Sequence, residues 1–523
     1  MLDRLADLTI RVMNTKVLLA ALASAALLTA CDKNKEDEVI PVSFSSFGFY
    51  AKDNAEVLKT DYIEENITSD NLTFTLPYGT DPEALKSLVA EFTATEGASV
   101  NKADESDAPD GQEVVSGETA IDFSSDVRLV VFLKNNYKVY TVSVKIAEPA
   151  KWAKVAETSV SVKGDPAFTI NEKDGVPYIV GSVERTITEG DNQTTRKEPH
   201  LFKLDGTELK DVAGALAEVD SKYFALDFAP EGTPFVSFYD GSLKKQSVMK
   251  VGSSASYVGE AGSLFQTGGS SNSSVAIFPM TENDIWCAQY NNVKNTLVGK
   301  RALNLAHFDG TSWTNGIAVE GRNASDYAYC VLGKTIQDAR YLMVFNQNTS
   351  TISIYKYSEE NWTSVLESQE IMKADGATKA TLNLRALDFD LSSDGQIYVM
   401  TGADYSAEKV YNIGVVRINP ETKSQVLIGG ETDINIDDCR SASFSLDSND
   451  VPYIAYTKSE GDARFACIRH IDGKTKTWSE DTKLSSSSCS FTIIRFSGDG
   501  KGYVANIEAV GDSSKYVLYS TAE

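Results

Sequence analysis

The chain has 523 residues, of which 42% are hydrophobic and 24% are charged, a composition that excludes disorder over most of its length. Its 74 acidic residues outnumber its 49 basic residues, and the formal net charge of -25 argues against nucleic acid as a partner, because such a surface repels phosphate groups. The chain has three histidines and no Cys-x-x-Cys or His-x-x-x-His pair, so we predict no metal site and no cofactor.

The N-terminus has the features of an export signal. From Met13 onward, one basic residue, Lys16, precedes an apolar run from Val17 to Ala30 that is too short to span a bilayer, since a helix needs about 20 residues for that. The run ends in Leu28-Thr29-Ala30-Cys31, which resembles the lipobox of bacterial lipoproteins. The resemblance implies a signal peptide over residues 1–30 and a lipid (palmitate included) on Cys31. Residues 1–12 carry two aspartates and fit the start of a signal peptide poorly, so we expect Met13 to be the true start.

Residues 31–41 form a polar, acidic segment that we interpret as a tether. The run from Asp32 to Glu38 is similar to the export signal that sends lipoproteins of some Gram-negative bacteria to the outer face of the outer membrane. An aspartate directly after the lipid cysteine instead indicates inner-membrane retention in other bacteria, so the leaflet stays open. We expect a cell-envelope lipoprotein of the outer membrane, facing outward and held to the membrane through Cys31.

Residues 42–148 show short alternating segments separated by turn clusters, a pattern that predicts an Ig-like β-sandwich. The predicted strands are Ser43–Tyr50, Asn71–Leu76, Leu88–Thr95, Glu113–Ser116, Val127–Leu133 and Tyr137–Ile146. By this strand order and the turn Tyr78-Gly79-Thr80-Asp81, the stretch resembles the Ig-like spacer domains of surface lipoproteins in glycan-uptake systems. The resemblance implies a spacer without chemistry of its own.

Residues 151–523 contain a repeat in which a Gly, Asp or Asn turn precedes an aromatic residue that opens an apolar strand. These landmark aromatics lie 50 to 57 residues apart and are Tyr178, Phe235, Trp286, Tyr341, Tyr398, Tyr453 and Tyr503. A four-stranded unit of this length predicts a β-propeller blade, and the repeats predict seven blades, with six as the alternative because the repeat at Tyr341 is the weakest. Few residues follow Tyr503, so we expect Trp152–Val162 to complete the last blade as its outer strand.

The predicted ligand site lies where the chain enters the innermost strand of each blade. Thirteen residues before the landmarks stand Asp165, Lys222, Ser273, Ala328, Arg385, Arg440 and Ser490. Arginine presents a planar fork of donors, so Arg385 and Arg440 are predicted to clamp an anionic or polyhydroxyl group, with Lys222 and Asp165 nearby. Tyr223, Tyr327 and Asn383 are added as a stacking face and an amide. The alternative is that these cations only neutralise Asp326, Asp388, Asp437 and Asp438.

Five cysteines follow Cys31, and an odd number in an exported chain leaves at least one free thiol. Cys439 and Cys489 occupy equivalent positions one repeat apart, and the sequence leaves their disulfide state open.

Together, the lipobox, the sandwich and the propeller resemble the surface lipoproteins of bacterial glycan-uptake systems. The resemblance implies a non-catalytic protein that captures a glycan or glycoconjugate on its propeller and works beside an outer-membrane transporter. Two alternatives stay open: a glycoside hydrolase or lyase that uses a carboxylate pair among Asp165, Asp326, Asp388, Asp437 and Asp438, and an adhesin or protein-assembly partner that binds through an exposed aromatic patch.

Overall fold

The computed structural model describes residues 41–522 except 104–110, 190, 265–274, 292–301, 320–321, 323–329, 347, 373–378, 380–386, 404–409, 431–433, 438 and 440. These residues form two compact units. The first comprises the described residues up to Asn54 together with Asp61–Thr73 and Leu88–Ser143, and the second comprises Ala55–Thr60, Phe74–Ser87 and the chain from Val144 onward. Three stretches inside residues 42–148, which the sequence assigns to the sandwich, therefore cluster with the second unit: residues 55–60, 74–87 and 144–148.

The sandwich consists of the sheets β2-β1-β5 and β3-β9-β8-β6 and the short pair β4-β7. Its strands are β1 (Phe44–Phe49), β2 (Tyr62–Glu65), β3 (Asn71–Leu76), β4 (Leu88–Val89), β5 (Glu91–Ala94), β6 (Ser99–Lys102), β7 (Ala120–Ile121), β8 (Val127–Leu133) and β9 (Asn136–Ile146), with a 3-10 helix at Pro82–Ser87. Phe44 on one sheet packs against Tyr140 on the other with ring centroids 4.7 Å apart, and both side chains are fully buried.

Sequence alternation accounts for these strands. In Asn71–Leu76, every second residue is buried and the intervening ones are exposed, as expected for a strand with one face on a core. The predicted strand at Glu113–Ser116 is wrong: it contributes only a single bridge, between Glu113 and Asn101. Val114 is nevertheless buried, so the segment contributes to the core without forming a strand.

The second unit contains seven successive groups of antiparallel strands among the described residues, here called arrays 1 to 7. Array 1 holds β11 (Val162–Asn171), β12 (Val176–Glu189), β13 (Asn192–Asp205) and β14 (Glu208–Asp211); array 2 holds β15 (Ser221–Phe228), β16 (Pro234–Asp240), β17 (Lys245–Val251) and β18 (Ala255–Tyr257); array 3 holds β19 (Val275–Thr281), β20 (Asp284–Asn291), β21 (Ala302–Phe308) and β22 (Trp313–Ile317); array 4 holds β23 (Cys330–Ile336), β24 (Ala339–Asn346), β25 (Thr351–Ser358) and β26 (Asn361–Glu370).

Array 5 holds β27 (Asp388–Leu391), β28 (Ile397–Ala403), β29 (Val410–Ile418), β30 (Gln425–Ile428) and β31 (Ile434–Asp437); array 6 holds β32 (Ala442–Leu446), β33 (Pro452–Glu460), β34 (Ala463–His470) and β35 (Thr482–Lys483); array 7 holds β36 (Cys489–Phe496), β37 (Gly502–Val510) and β38 (Ser513–Thr521). The earlier strand β10 (Trp152–Thr158) pairs antiparallel with β38 and parallel with β14, so arrays 7 and 1 share one eight-stranded sheet.

The innermost strands β11, β15, β19, β23, β27, β32 and β36 contact one another in this order, and β36 contacts β11 again. This closed order makes the second unit a β-propeller around a central channel. The prediction of an all-β chain with a sandwich followed by a propeller is confirmed.

The landmark aromatics occupy corresponding places, because each is buried near the start of the second strand of its array. Across the hairpin they pair with Thr169, Asp227, Phe278, Lys334, Asp390, Ser445 and Arg495 on the innermost strands. Four of these partners are charged, so this position on the innermost strands is rich in charge. Across the described ranges, none of the helical structure reaches the length and apolarity needed to cross a bilayer.

Candidate functional site

The channel contains a cavity of about 480 Å³. It is lined by residues from five of the innermost strands and their leading ends: Asp165, Leu332, Leu387, Asp388, Ser441, Ala442, Ser443, Ser490, Phe491, Thr492, Ile493 and Arg495. Asp165, Ser441 and Ser490 lie near the starts of these strands, and Arg495 lies one residue before the end of β36. On β36 the lining residues run from Ser490 to Arg495; we call the end at Ser490 and Asp165 the mouth, and the end at Arg495, which contacts Asp388, the floor.

The floor is organised around the Asp388 carboxylate. Lys334 Nζ lies 2.9 Å from its Oδ1, and Arg495 Nη1 lies 3.4 Å from its Oδ2. Ser443 Oγ and the Phe444 amide donate to Oδ2, both at 3.0 Å. The side chains of Lys334 and Asp388 are only 8% and 9% exposed, so this ion pair is shielded from solvent screening.

These partners fix the ionisation of Asp388. Burial alone would raise the pKa of the carboxyl, but the Lys334 and Arg495 cations and the Phe444 amide outweigh burial and lower the pKa to about 2. Burial lowers the pKa of Lys334, and the Asp388 carboxylate opposes that shift. Asp388 is therefore ionised at neutral pH and cannot act there as a general acid.

The neighbouring Asp390 ties two arrays together. Its Oδ2 accepts hydrogen bonds from Ser445 Oγ and from the Leu446 amide, each at 3.0 Å. Ser443 and Ser445 alternate along β32 as Asp388 and Asp390 do along β27, so the two strands are joined by a repeated carboxylate–serine contact. This repetition is a structural tie between arrays 5 and 6.

Of the sequence-predicted site residues, Asp165 lines the cavity. Lys222 and Tyr223 lie at the start of β15 and are not among the lining residues. There the Lys222 ammonium lies 4.8 Å from the centroid of the Tyr223 ring and 5.1 Å from that of Tyr239, and Tyr223 has a φ of 56°, in the left-handed region. Outside the described residues lie Arg385, Arg440, Tyr327, Asn383 and Cys31, as do Asp326 and Asp438.

Sequence reasoning missed Lys334, Ser443 and Arg495. For Lys334 and Arg495 the signal lies in the hairpin register: the residue opposite each landmark aromatic stands seven to nine positions before it, and that position holds Asp227, Lys334, Asp390 and Arg495 in four arrays. Ser443 lies two residues before the corresponding position of its strand, which Ser445 occupies. Counting thirteen residues back instead finds Asp165 and Ser490, at the mouth of the cavity.

The described residues include no group of three or more His, Cys, Asp or Glu side chains placed to hold a metal ion. The side chains of Cys287, Cys330, Cys439, Cys467 and Cys489 are buried and none is in a disulfide, so Cys439 and Cys489 are not bonded to each other in this structure.

No family model and no curated protein matches this chain. Among solved structures it is similar to an α-L-arabinofuranosidase from Fusarium graminearum, with 9% identity and a TM-score of 0.37 over 58% of this chain and 92% of that one. It is also similar to an α-L-arabinanase from Penicillium chrysogenum, with 10% identity and a TM-score of 0.35 over 58% of this chain and 93% of that one. The polysaccharide lyase Uly1 has 12% identity and a TM-score of 0.28 over 76% of this chain and 85% of that one. At these scores the likeness carries no argument about activity.

Proposed function

We propose that the propeller binds a carbohydrate in the channel cavity and that the protein captures this ligand without cleaving it. The observation that carries the proposal is the composition of the cavity wall. Leu332, Phe491 and Ile493 supply apolar surface, and Ser443 and Arg495 supply hydrogen-bonding groups. Sugar rings combine apolar faces with hydroxyl rims, and a concave site of this size with a few placed polar groups suits such a ligand.

The chemistry of the floor supports capture. Glycoside hydrolysis needs a carboxylic acid that holds a proton near neutral pH beside a second, ionised carboxylate. Asp388 is held ionised by Lys334 and by Ser443 and Phe444, so its oxygens are already occupied. A carboxylate in this state stabilises its neighbours and is a weak nucleophile.

Glycoside hydrolysis is the second candidate, and one observation favours it: Asp165 and Asp388 line the same cavity. In that mechanism Asp388 would be the ionised partner and Asp165 the proton donor. Retaining enzymes place the two carboxyl groups ~5 to 5.5 Å apart, and inverting enzymes place them ~6.5 to 9.5 Å apart. For an adhesin, Tyr137 is the one aromatic among the large apolar side chains exposed in the described ranges, so those ranges offer no aromatic patch.

A glycan array probed with the purified chain, without residues 1–31, tests the proposal. We expect binding to at least one glycan, and we expect Ala442→Phe, which fills the cavity, to weaken it about tenfold or more. Ala153→Phe is the matched control because Ala153 is exposed on β10, outside the cavity. An array without any bound glycan, or full binding by Ala442→Phe, would contradict the proposal.

The same preparation separates capture from hydrolysis. Incubation with chromogenic glycosides, including an α-L-arabinofuranoside, should release no chromophore if the protein only captures. Turnover that is lost in Asp165→Asn would establish the hydrolase instead.

We further propose that a lipid on Cys31 anchors the chain in the outer membrane, facing outward, beside a transporter that takes up the captured glycan. The lipobox-like sequence and the polar tether after it support this arrangement.

A further inference from the structure

We propose that the carbohydrate bound in the channel cavity is an acidic sugar and that Arg495 receives its carboxylate. This inference rests on the proposed function and specifies its ligand class. It starts from the way in which the guanidinium of Arg495 is held at the cavity floor.

The hydrogen bonds and the ion pair of the Arg495 side chain with described residues all involve one nitrogen, Nη1. Nη1 donates to the Ile494 carbonyl at 2.7 Å and to Ser443 Oγ at 3.0 Å, and it lies 3.4 Å from Asp388 Oδ2. Within the described ranges, no hydrogen bond or ion pair reaches Nε or Nη2. The side chain is 23% exposed and lines the cavity, so these two nitrogens are available to a ligand there.

The positive charge of Arg495 is only partly used by the protein. Asp388 has a closer cation in Lys334, at 2.9 Å, and it meets Arg495 through one nitrogen at 3.4 Å. A planar guanidinium binds a carboxylate best through two parallel N–H donors, and that two-donor contact is absent between Arg495 and Asp388. The carboxylate of a ligand would complete it.

The contacts at Nη1 also fix the orientation of the fork. Ser443 is 4% exposed, and the Ile494 carbonyl belongs to the strand that carries Arg495. A donor that is already oriented loses little conformational entropy on binding, so its hydrogen bonds contribute more of their energy to affinity.

The strand beneath the ligand places apolar surface next to this fork. Phe491, Ile493 and Arg495 alternate on β36 and all line the cavity. Residues two apart on a strand lie about 6.6 Å from each other. A sugar ring lying against Phe491 and Ile493 would therefore direct a ring carboxylate towards Arg495.

The two ends of the cavity differ in charge. Asp165 lies at the mouth and Arg495 at the floor. Asp165 repels a carboxylate and accepts hydrogen bonds from hydroxyl groups, so the acidic group of the ligand should enter first and its neutral hydroxyls should face the mouth.

Calorimetric titration of the purified chain, without residues 1–31, tests this inference. The probes are oligosaccharides of galacturonate, glucuronate and mannuronate, each with its carboxyl-reduced neutral form and a sulfated version of that neutral form. We expect at least one acidic oligosaccharide to bind about tenfold or more tightly than its reduced form. A hydrogen bond to a charged group contributes enough binding free energy for a tenfold change in affinity. Added salt should weaken binding of the acidic form and leave the neutral form unchanged.

Arg495→Gln should abolish the preference for the acidic form, and Arg495→Lys should lose most of it because lysine keeps the charge but lacks the fork. Arg185→Gln is the matched control, since Arg185 is 57% exposed on β12 and outside the cavity. Circular dichroism and thermal unfolding verify that each variant is folded. The salt titration uses the unmodified chain, so it tests the inference even if a variant does not fold.

The outcomes separate this inference from the proposed function. If neutral and acidic forms bind equally, or if the sulfated form binds more tightly than the carboxylate, the assignment of Arg495 is overturned while carbohydrate binding stands. An unaltered preference in folded Arg495→Gln also overturns it. If no oligosaccharide of either kind binds, the proposed function fails together with the inference.

Discussion

Two buried aspartates on the innermost strands, Asp388 and Asp227, behave differently because their neighbours differ. Asp388 has Lys334 at 2.9 Å and stays ionised. Asp227 faces Thr335, whose hydroxyl donates to it at 2.9 Å, and its nearest cation is Arg340 Nε, 4.0 Å away. Burial therefore dominates at Asp227 and raises the pKa of its carboxyl to about 6, against the opposing influence of Arg340. A close partner cation thus limits how far burial can raise the pKa of each carboxyl.

Asp227 should make the protein less stable as the pH rises. Its folded-state pKa of about 6 lies above the value of about 3.9 for an unfolded chain, so its contribution to the free energy of unfolding is fully present below pH ~4 and is lost as the pH rises through ~6. We expect Asp227→Asn to match the unmodified chain at pH ~4 and to exceed its stability by about 2 kcal/mol at pH ~7.5. Thermal unfolding at both pH values measures the difference.

Asp309 is the control with the opposite sign. Hydrogen bonds from the Thr311 hydroxyl and the Ser312 and Thr311 amides lower the pKa of its carboxyl to about 2. Asp309 thus contributes stability above the unfolded pKa and loses it only as the pH falls towards ~2. The effect of Asp309→Asn should not change between pH ~4.5 and ~7.5, and an Asp227→Asn effect that is equally flat would contradict the prediction.

At the scale of elements, irregularities at the starts of the innermost strands shape the channel mouth. The register shifts between Lys163 and Ala167 in β11, between Lys222 and Ala225 in β15 and between Cys489 and Phe491 in β36. A bulge re-aims the side chains that follow it. In β15 the shift includes Tyr223 in its left-handed conformation, and the amide of the buried Gln246 donates to the Tyr223 carbonyl at 3.2 Å.

Strand β10 closes the ring through its backbone pairing, so a substitution that disrupts this pairing should lower the free energy of unfolding. It pairs with β14 on one side and with β38 on the other, so both of its edges are occupied. We expect Ala156→Pro to lower the free energy of unfolding by about 3 kcal/mol or more, because proline removes an amide donor and restricts φ. Chemical denaturation measures the loss, and size-exclusion chromatography detects the association that an uncovered β38 edge would promote.

Ala156→Gly is the matched variant, since it keeps the amide and should cost only about 1 kcal/mol. If both substitutions reduce stability equally, the pairing of β10 is not what closes the ring.

At the scale of the whole molecule, the proposed capture of a carbohydrate at the membrane surface requires that the chain be attached to a membrane through Cys31. We expect Cys31→Ser to release the protein into the soluble fraction and to abolish labelling by radioactive palmitate, because the proposed lipid is attached to that thiol. Cell fractionation and metabolic labelling measure the two effects. The buried Cys287, which lies in β20, is the matched control, and Cys287→Ser should keep both the label and the membrane association.

Much of the fold followed from patterns that local physics imposes. The repeat of a turn and an aromatic residue predicted the propeller, and too few residues after Tyr503 pointed to Trp152–Val162, where β10 now pairs with β38. Asp165 was placed at the channel by the same spacing, and it lines the cavity. Lys222 has the same spacing from its landmark aromatic, and Tyr223 follows it. Neither residue lines the cavity, because β15 does not border it.

The sequence by itself determined the strands, their repeat and the aromatic that each array buries, since alternation and turn residues act over a few positions along the chain. Only the tertiary structure decided that Lys334, Asp388 and Arg495 meet, because they come from β23, β27 and β36 and are joined by closure of the ring. A shift of one residue in any of these strands would turn its side chain away from the channel, so the floor of the cavity depends on registers set by packing across the whole propeller.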